Sequence, residues 1–175
     1  MRQTYSFTSA YVFIMDWKDF MEYIFGLDPS LGNFGICIFD INGNPIEAIS
    51  VATSPKDGEH GKRLKIIADV LLDLRKKYET HLIALESGFS RHMVSTQVLY
   101  RVRGLCDYLF YDCEVRAFAP SSVKKIVGGS GKASKTQLQE IISKRFPTLV
   151  FDDEDQSDAC CIGACLLAEK KIIKL

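Results

Sequence analysis

Four acidic residues occupy positions from which they could support metal-dependent hydrolysis. Asp28 ends the apolar run YIFGLD, and Glu86 ends the apolar run HLIALE. Asp155 and Asp158 are three residues apart at the start of a predicted helix, so both project from one side of it. Four carboxylates that converge repel one another and raise their pKa values unless a cation lies among them. Their oxygen donors predict Mg²⁺, with Mn²⁺ able to substitute, rather than zinc.

Two divalent ions about 3.5 to 4 Å apart can drive in-line attack on a phosphodiester, one by activating water and the other by stabilising the leaving oxygen. The four acids therefore predict two ions in one active site. Taken singly, Asp155 and Asp158 could be helix caps and Asp28 a turn residue. Their combination at strand ends and a helix start favours the metal site.

A basic segment precedes the last two acids. Between Arg116 and Arg145 there are seven basic residues and one acid, although the whole chain has 22 basic and 22 acidic residues. Lys124 and Lys135 flank a glycine loop through which a backbone could approach a nucleic-acid strand, and both are predicted to contact phosphate. As an alternative, they are solvated charges at helix ends. The GGSGK stretch lacks the first glycine of a nucleotide-binding loop, so no nucleotide cofactor is expected.

The elements that would position these residues alternate between strands and helices. Asn42-Gly43 joins the second and third apolar runs as a hairpin turn, which predicts an antiparallel meander. Helical periodicity follows from Leu64 to Tyr78 and from Val94 to Leu109. Further strands are predicted at 81–86 and 115–119, and further helices at 121–127, from Ser134 and from Asp155 or Ser157. The fold class is thus α/β, with a mixed five-stranded sheet of three meander strands and two parallel strands, and helices on both faces.

One domain is predicted at residues 21–175, because 175 residues suffice for one full core. Residues 1–20 have no clear period and are expected to be an extension outside the catalytic fold. No apolar run is long enough to cross a bilayer, so no membrane association is expected. Six cysteines without CxxC spacing indicate reduced core thiols. The cytoplasm of a bacterium or a phage-infected host is the expected location.

The chain resembles the RuvC family of Holliday junction resolvases, within the RNase H-like nucleases. The resemblance runs from Met21 to about Ala168 and rests on FGLDPSLGNFG, IALESGF, APSSVKKIVGGSGKASKTQLQ and EDQSDACCIGA. It implies an RNase H-like fold in which the four acids bind metal and Lys135 assists catalysis. The DNA-binding residues it implies are Lys124, Lys125, Lys132, Lys135, Phe89 and Arg91. Phe89 could wedge into an opened junction or pack in the core.

The resemblance implies an Mg²⁺-dependent crossover junction endodeoxyribonuclease. Such an enzyme acts as a homodimer that makes paired symmetric nicks in four-way DNA, a reaction of DNA recombination and repair. Two alternatives stay open: a broader branched-DNA or flap nuclease of the same fold, and a non-catalytic branched-DNA-binding protein. Gly32 and Gly35 are interpreted as small residues that leave room for the phosphate to reach the metal at Asp28.

Overall fold

The computed structural model describes residues 23–87 and 93–175, which form one sheet covered by five helices within that part of the chain. The strands are β1 (Tyr23–Asp28), β2 (Asn33–Asp40), β3 (Pro45–Ala52), β4 (Thr80–Glu86) and β5 (Glu114–Phe118). The helices are α1 (His60–Lys77), α2 (Met93–Leu109), α3 (Pro120–Gly128), α4 (Lys135–Arg145) and α5 (Glu154–Glu169). A short 3-10 turn, Pro55–Asp57, precedes α1.

The strand order β3-β2-β1-β4-β5 confirms the predicted mixed sheet. β1 pairs antiparallel with β2, and β2 with β3, whereas β1–β4 and β4–β5 are parallel pairs. Leu27 pairs with Leu85, so Asp28 and Glu86 end neighbouring parallel strands at the same edge. The carboxyl ends of parallel strands are a usual place for a site in an open sheet.

Each face of the sheet is covered by helices, as predicted. Successive side chains of a strand point to opposite faces, and in β1 Ile24 belongs to the core under α3, α4 and α5. Phe25, next along the strand, belongs to the core under α1 and α2 together with Ile67 and Val102. Burial on both faces explains why β1 is a continuous apolar run rather than an alternating one.

Glycines let α5 lie against the sheet at backbone distance. A β-carbon on Gly26 of β1 would stand 2.7 Å from the backbone nitrogen of Gly163. A β-carbon on Gly35 of β2 would stand 2.7 Å from the carbonyl carbon of Asp155. The interpretation of Gly35 as space for a phosphate is therefore wrong, because the backbone of α5 fills that space.

The start of α5 also differs from the prediction. Asp153 is the N-cap, and its carboxylate accepts a hydrogen bond from the backbone nitrogen of Gln156 at 2.9 Å. The predicted caps, Asp155 and Ser157, lie inside the helix instead. An extended residue with a carboxylate side chain is a favourable cap wherever it falls. The shift frees the Asp155 side chain for another role.

The cap of α4 was predicted correctly. The Ser134 hydroxyl accepts from the Gln137 backbone nitrogen at 3.2 Å, and the Gln137 side-chain oxygen accepts from the Ser134 nitrogen at 2.9 Å. This capping box satisfies two donors at the helix start. It also fixes the backbone position from which the Lys135 side chain extends.

All six cysteines are free thiols, in agreement with the prediction. None of the helices within residues 23–87 and 93–175 has the length and apolarity to cross a membrane. The predicted extension, residues 1–20, lies outside the described residues.

Candidate active site

The four predicted acids come together where α5 crosses the ends of β1 and β4. Asp28 is partly buried, and its carboxyl pKa is raised to about 7, first by burial and then by the charges of Glu86, Asp158 and Asp155. Only carboxylates that lie close together influence one another in this way. The structure thus groups acids that are up to 130 residues apart in sequence, from Asp28 to Asp158.

Glu86 is the second strand-end acid of the group. Burial raises its pKa, and the charge of Asp158 raises it further, while Lys135 and Lys124 oppose the shift. Glu86, Asp158 and the two lysines line a cavity of about 220 Å³. The rest of its wall is mainly apolar and comes from α3, α4 and α5: Pro120, Val123, Leu138, Cys161 and Ile162. Two acids and two lysines therefore share one small concave surface.

Lys135 binds the acidic group directly. Its Nζ atom lies 2.8 Å from Oδ2 of Asp158 and 3.6 Å from Oε2 of Glu154. The hydrogen bond with Asp158 raises the pKa of Lys135, so the lysine is a cation beside the carboxylates. It offsets part of their repulsion.

Asn33 is a further residue of the site, and it was not identified from the sequence. It begins β2, and its side-chain nitrogen donates to Oδ2 of Asp155 at 2.6 Å and to Oδ2 of Asp153 at 3.1 Å. Its side-chain oxygen is buried without a hydrogen-bond partner. The one signal in the sequence was a polar residue directly before the apolar run that continues to Phe39.

The donor chemistry of the group fits a hard divalent cation. Its acids offer oxygen ligands, and burial together with the charges of Glu86, Asp158 and Asp155 disfavours the ionised form of Asp28, which a cation would stabilise. As the side chains stand, no set of three or more His, Cys, Asp or Glu within the described residues is arranged to hold an ion. Asp158 is engaged with Lys135, and Asp155 with Asn33. Cation binding at Asp158 would therefore require Lys135 to move, whereas a neutral amide that donates to one oxygen of Asp155 is compatible with an ion on that carboxylate.

Comparison with known proteins identifies the family. The model of the family described as Crossover junction endodeoxyribonuclease RuvC matches residues 24–166. The chain belongs to the RuvC family. It is 34% identical over 149 residues to the RuvC of Thermotoga petrophila, covering 81% of this chain and 90% of that protein. It is 30% identical over 154 residues to the RuvC of Rickettsia bellii, covering 84% of this chain and 98% of that protein.

A solved RuvC structure has the same fold. The Thermus thermophilus protein in complex with Holliday junction substrate matches with a TM-score of 0.75 at 19% identity. The match covers 87% of this chain and 98% of the other. At this identity the likeness concerns the fold alone, and it agrees with the predicted RNase H-like sheet of the RuvC family.

The remaining predicted DNA-binding residues either do not line the cavity or lie outside the described residues. Lys125 and Lys132 are exposed and do not line the cavity that holds Lys124 and Lys135. Phe89 and Arg91 fall in 88–92, outside the described residues, so their predicted roles in this RuvC-family chain stay predictions.

Proposed function

We propose that this chain is a divalent-metal-dependent endonuclease that resolves four-way DNA junctions by paired symmetric nicks. The observation that carries the proposal is the electrostatic coupling of Asp28 to Glu86, Asp155 and Asp158 at one sheet edge. Membership of the RuvC family supplies the substrate class. A relative solved with a Holliday junction has the same fold.

Asp28, Glu86, Asp155 and Asp158 are the residues that would hold the metal. Bound divalent ions supply an activated water and stabilise the leaving oxygen of a phosphodiester. The pKa of Asp28 is raised to about 7 and that of Glu86 is also raised, so a cation competes better with protons for these carboxylates as pH rises.

Lys135 would neutralise charge on the phosphate that is cut. Its ammonium lies against Asp158, and its side chain is 59% exposed, so it can turn toward a strand that enters the cavity. Positively charged groups aimed at developing negative charge contribute strongly to phosphoryl chemistry. Lys124, on the same cavity wall, would bind a phosphate beside the one that is cut.

Lys125 and Lys132 would extend the contact with DNA beyond the cavity. Both are exposed, and exposed lysines bind phosphates without sequence preference. Such contacts release counterions, so binding should weaken steeply as salt rises.

The active form would be a homodimer, which suits the two-fold symmetry of a four-way junction. One face of α2 supports this proposal. Tyr100 and Tyr108 are 61% and 76% exposed, and Gly104 lies between them on the same face with open space beside it. Tyr111, which follows α2, is 82% exposed. Exposed tyrosines along one helix are typical of a protein interface.

A cleavage assay on a panel of DNA substrates tests the function. Four-way, Y-shaped and flap DNA are incubated with Mg²⁺ and protein, and cut sites are mapped on every strand. D28N and E86Q should abolish cutting and retain junction binding in a gel-shift assay, whereas D152N, at an exposed acid nearby, should cut normally. Equal cutting of all three substrates would favour the broader branched-DNA nuclease. Binding without cutting by the wild type would favour a non-catalytic junction-binding protein.

A further inference from the structure

Asn33 connects the first strands of the sheet to the acidic start of α5. Its backbone position is fixed from two sides, because it pairs with Ala52 of β3 and its backbone nitrogen donates to the Ser30 hydroxyl at 3.3 Å. The same hydroxyl accepts from the Gly32 nitrogen at 3.1 Å. The Asn33 side chain therefore extends from a well-defined turn, which follows Asp28 at the end of β1.

Both hydrogens of the Asn33 amide are used on carboxylates. A side-chain amide nitrogen carries two donors, and here one points to Asp155 and the other to Asp153. The amide oxygen is buried without a partner. A buried unpaired acceptor is unfavourable for stability. The placement of Asn33 is better explained by the hydrogen bonds that its side-chain nitrogen donates to the two carboxylates.

Asp153 has anchors besides Asn33. Its Oδ1 atom accepts from the backbone nitrogen of Gln156 at 2.9 Å, and Ser50 contributes a side-chain hydrogen bond. The Gln156 side chain in turn contacts Ser50 Oγ at 3.4 Å. Asp153 is thus held as the helix cap whether or not Asn33 donates to it.

We propose that Asn33 is a positioning residue that orients the Asp155 carboxylate for cation binding. A hydrogen bond to one oxygen of a carboxylate fixes its rotation, and residues behind a metal ligand commonly set ligand geometry in this way. The bond of 2.6 Å to Oδ2 is the shorter of the two that Asn33 makes. This inference rests on the proposed function, because it assumes that Asp155 holds a divalent ion.

The test measures Mn²⁺ binding by isothermal titration calorimetry on the full chain without DNA. N33A should weaken Mn²⁺ binding about 10- to 100-fold, the range found when partners of metal ligands are removed. S50A is the matched control, because Ser50 contacts Asp153 and Gln156, and it should bind Mn²⁺ as the wild type does. If N33A does not fold, N33S keeps a small hydroxyl donor at the strand start and should show a smaller loss.

A double-variant cycle separates positioning from general destabilisation. In a D155N background, N33A should cause no further loss of Mn²⁺ affinity, because the ligand that Asn33 orients is already gone. Wild-type affinity in N33A or N33S, or an undiminished effect of N33A in D155N, would overturn the role of Asn33 while leaving the nuclease proposal intact. A wild-type chain that neither binds Mn²⁺ nor cuts a junction would overturn the proposed function and this inference together.

Discussion

Lys135 of α4 and Asp158 of α5 form an ion pair in which Nζ lies 2.8 Å from Oδ2. The pair joins two helices beside acids whose charges repel one another. The Lys135 ammonium thus partly substitutes for a metal cation beside Asp158. An ion that binds Asp158 must displace this ammonium, which is then available to contact DNA. The predicted catalytic lysine and the predicted metal ligands therefore belong to one electrostatic unit.

The stability of the metal-free protein should fall as pH rises. The pKa of Asp28 is about 7 in the folded chain and 3.8 ordinarily. The folded state then holds a proton that the unfolded state has released between about pH 4 and about pH 7, and stability decreases across that interval. Glu86, whose pKa is also raised, contributes with the same sign.

D28N should remove much of this pH dependence and stabilise the metal-free protein at pH 8 by about 2 kcal/mol, since the amide carries no charge to bury. Urea unfolding in a chelator at about pH 5 and about pH 8 measures both effects. D152N changes an exposed acid and should leave the slope as it is. A D28N slope equal to that of the wild type would contradict the electrostatic account.

Lys135 should be required for cutting and dispensable for cation binding. K135Q should reduce the cleavage rate about 10²- to 10³-fold, as does the loss of one group that stabilises transition-state charge. Mn²⁺ affinity should stay equal or increase, because Asp158 loses its competing ammonium. Single-turnover cleavage and calorimetry measure the two quantities. K132Q, at an exposed lysine outside the cavity, should weaken only salt-dependent DNA binding, and weaker Mn²⁺ binding by K135Q would count against this assignment.

Most of this fold could be predicted because its signals are local. The apolar runs, the Asn42-Gly43 turn and the Ser134–Gln137 box each depend on residues close in sequence. The grouping of Asp28, Glu86 and Asp158 was accessible because strand ends and helix starts have defined places in an α/β fold.

What the sequence did not reveal depends on contacts between distant segments. From the sequence, Gly35 is interpreted as leaving room for a phosphate, but in the structure the backbone of Asp155 in α5 occupies that space. The side chain of Asn33 finds its partners outside its own segment, and its bond to Asp155 spans 122 residues. The cap at Asp153 was missed because several neighbouring acids are equally good caps by type.

The close approach of α5 to β1 should be sensitive to one added methyl group. G26A would place a β-carbon 2.7 Å from the Gly163 nitrogen and closer still to the Ala159 carbonyl oxygen. We expect destabilisation of about 1 to 3 kcal/mol from overpacking, and weaker Mn²⁺ binding because Asp155 and Asp158 move with the helix. The control is G61A, because a β-carbon at Gly61 of α1 meets nothing within 4 Å; it should be neutral or stabilising by up to about 1 kcal/mol. Denaturant unfolding compares the two, and equal stabilities would contradict tight packing at Gly26.

The exposed face of α2 should mediate dimerisation. Y108E puts a charge on a side chain that is 76% exposed in the single chain, and an interface core tolerates such a charge poorly. We expect the variant to sediment as a monomer under conditions in which the wild type is a dimer. On a plasmid cruciform it should produce mainly nicked circles, because two cuts made independently are rarely completed within one encounter, whereas the wild type should produce linear DNA.

V150E changes a side chain that is 82% exposed and lies far along the chain from α2, and it should remain a dimer with paired cutting. A dimeric Y108E that still linearises the plasmid would place the interface elsewhere, because a surface that accepts a buried charge without loss of association is not the surface that holds the two copies together.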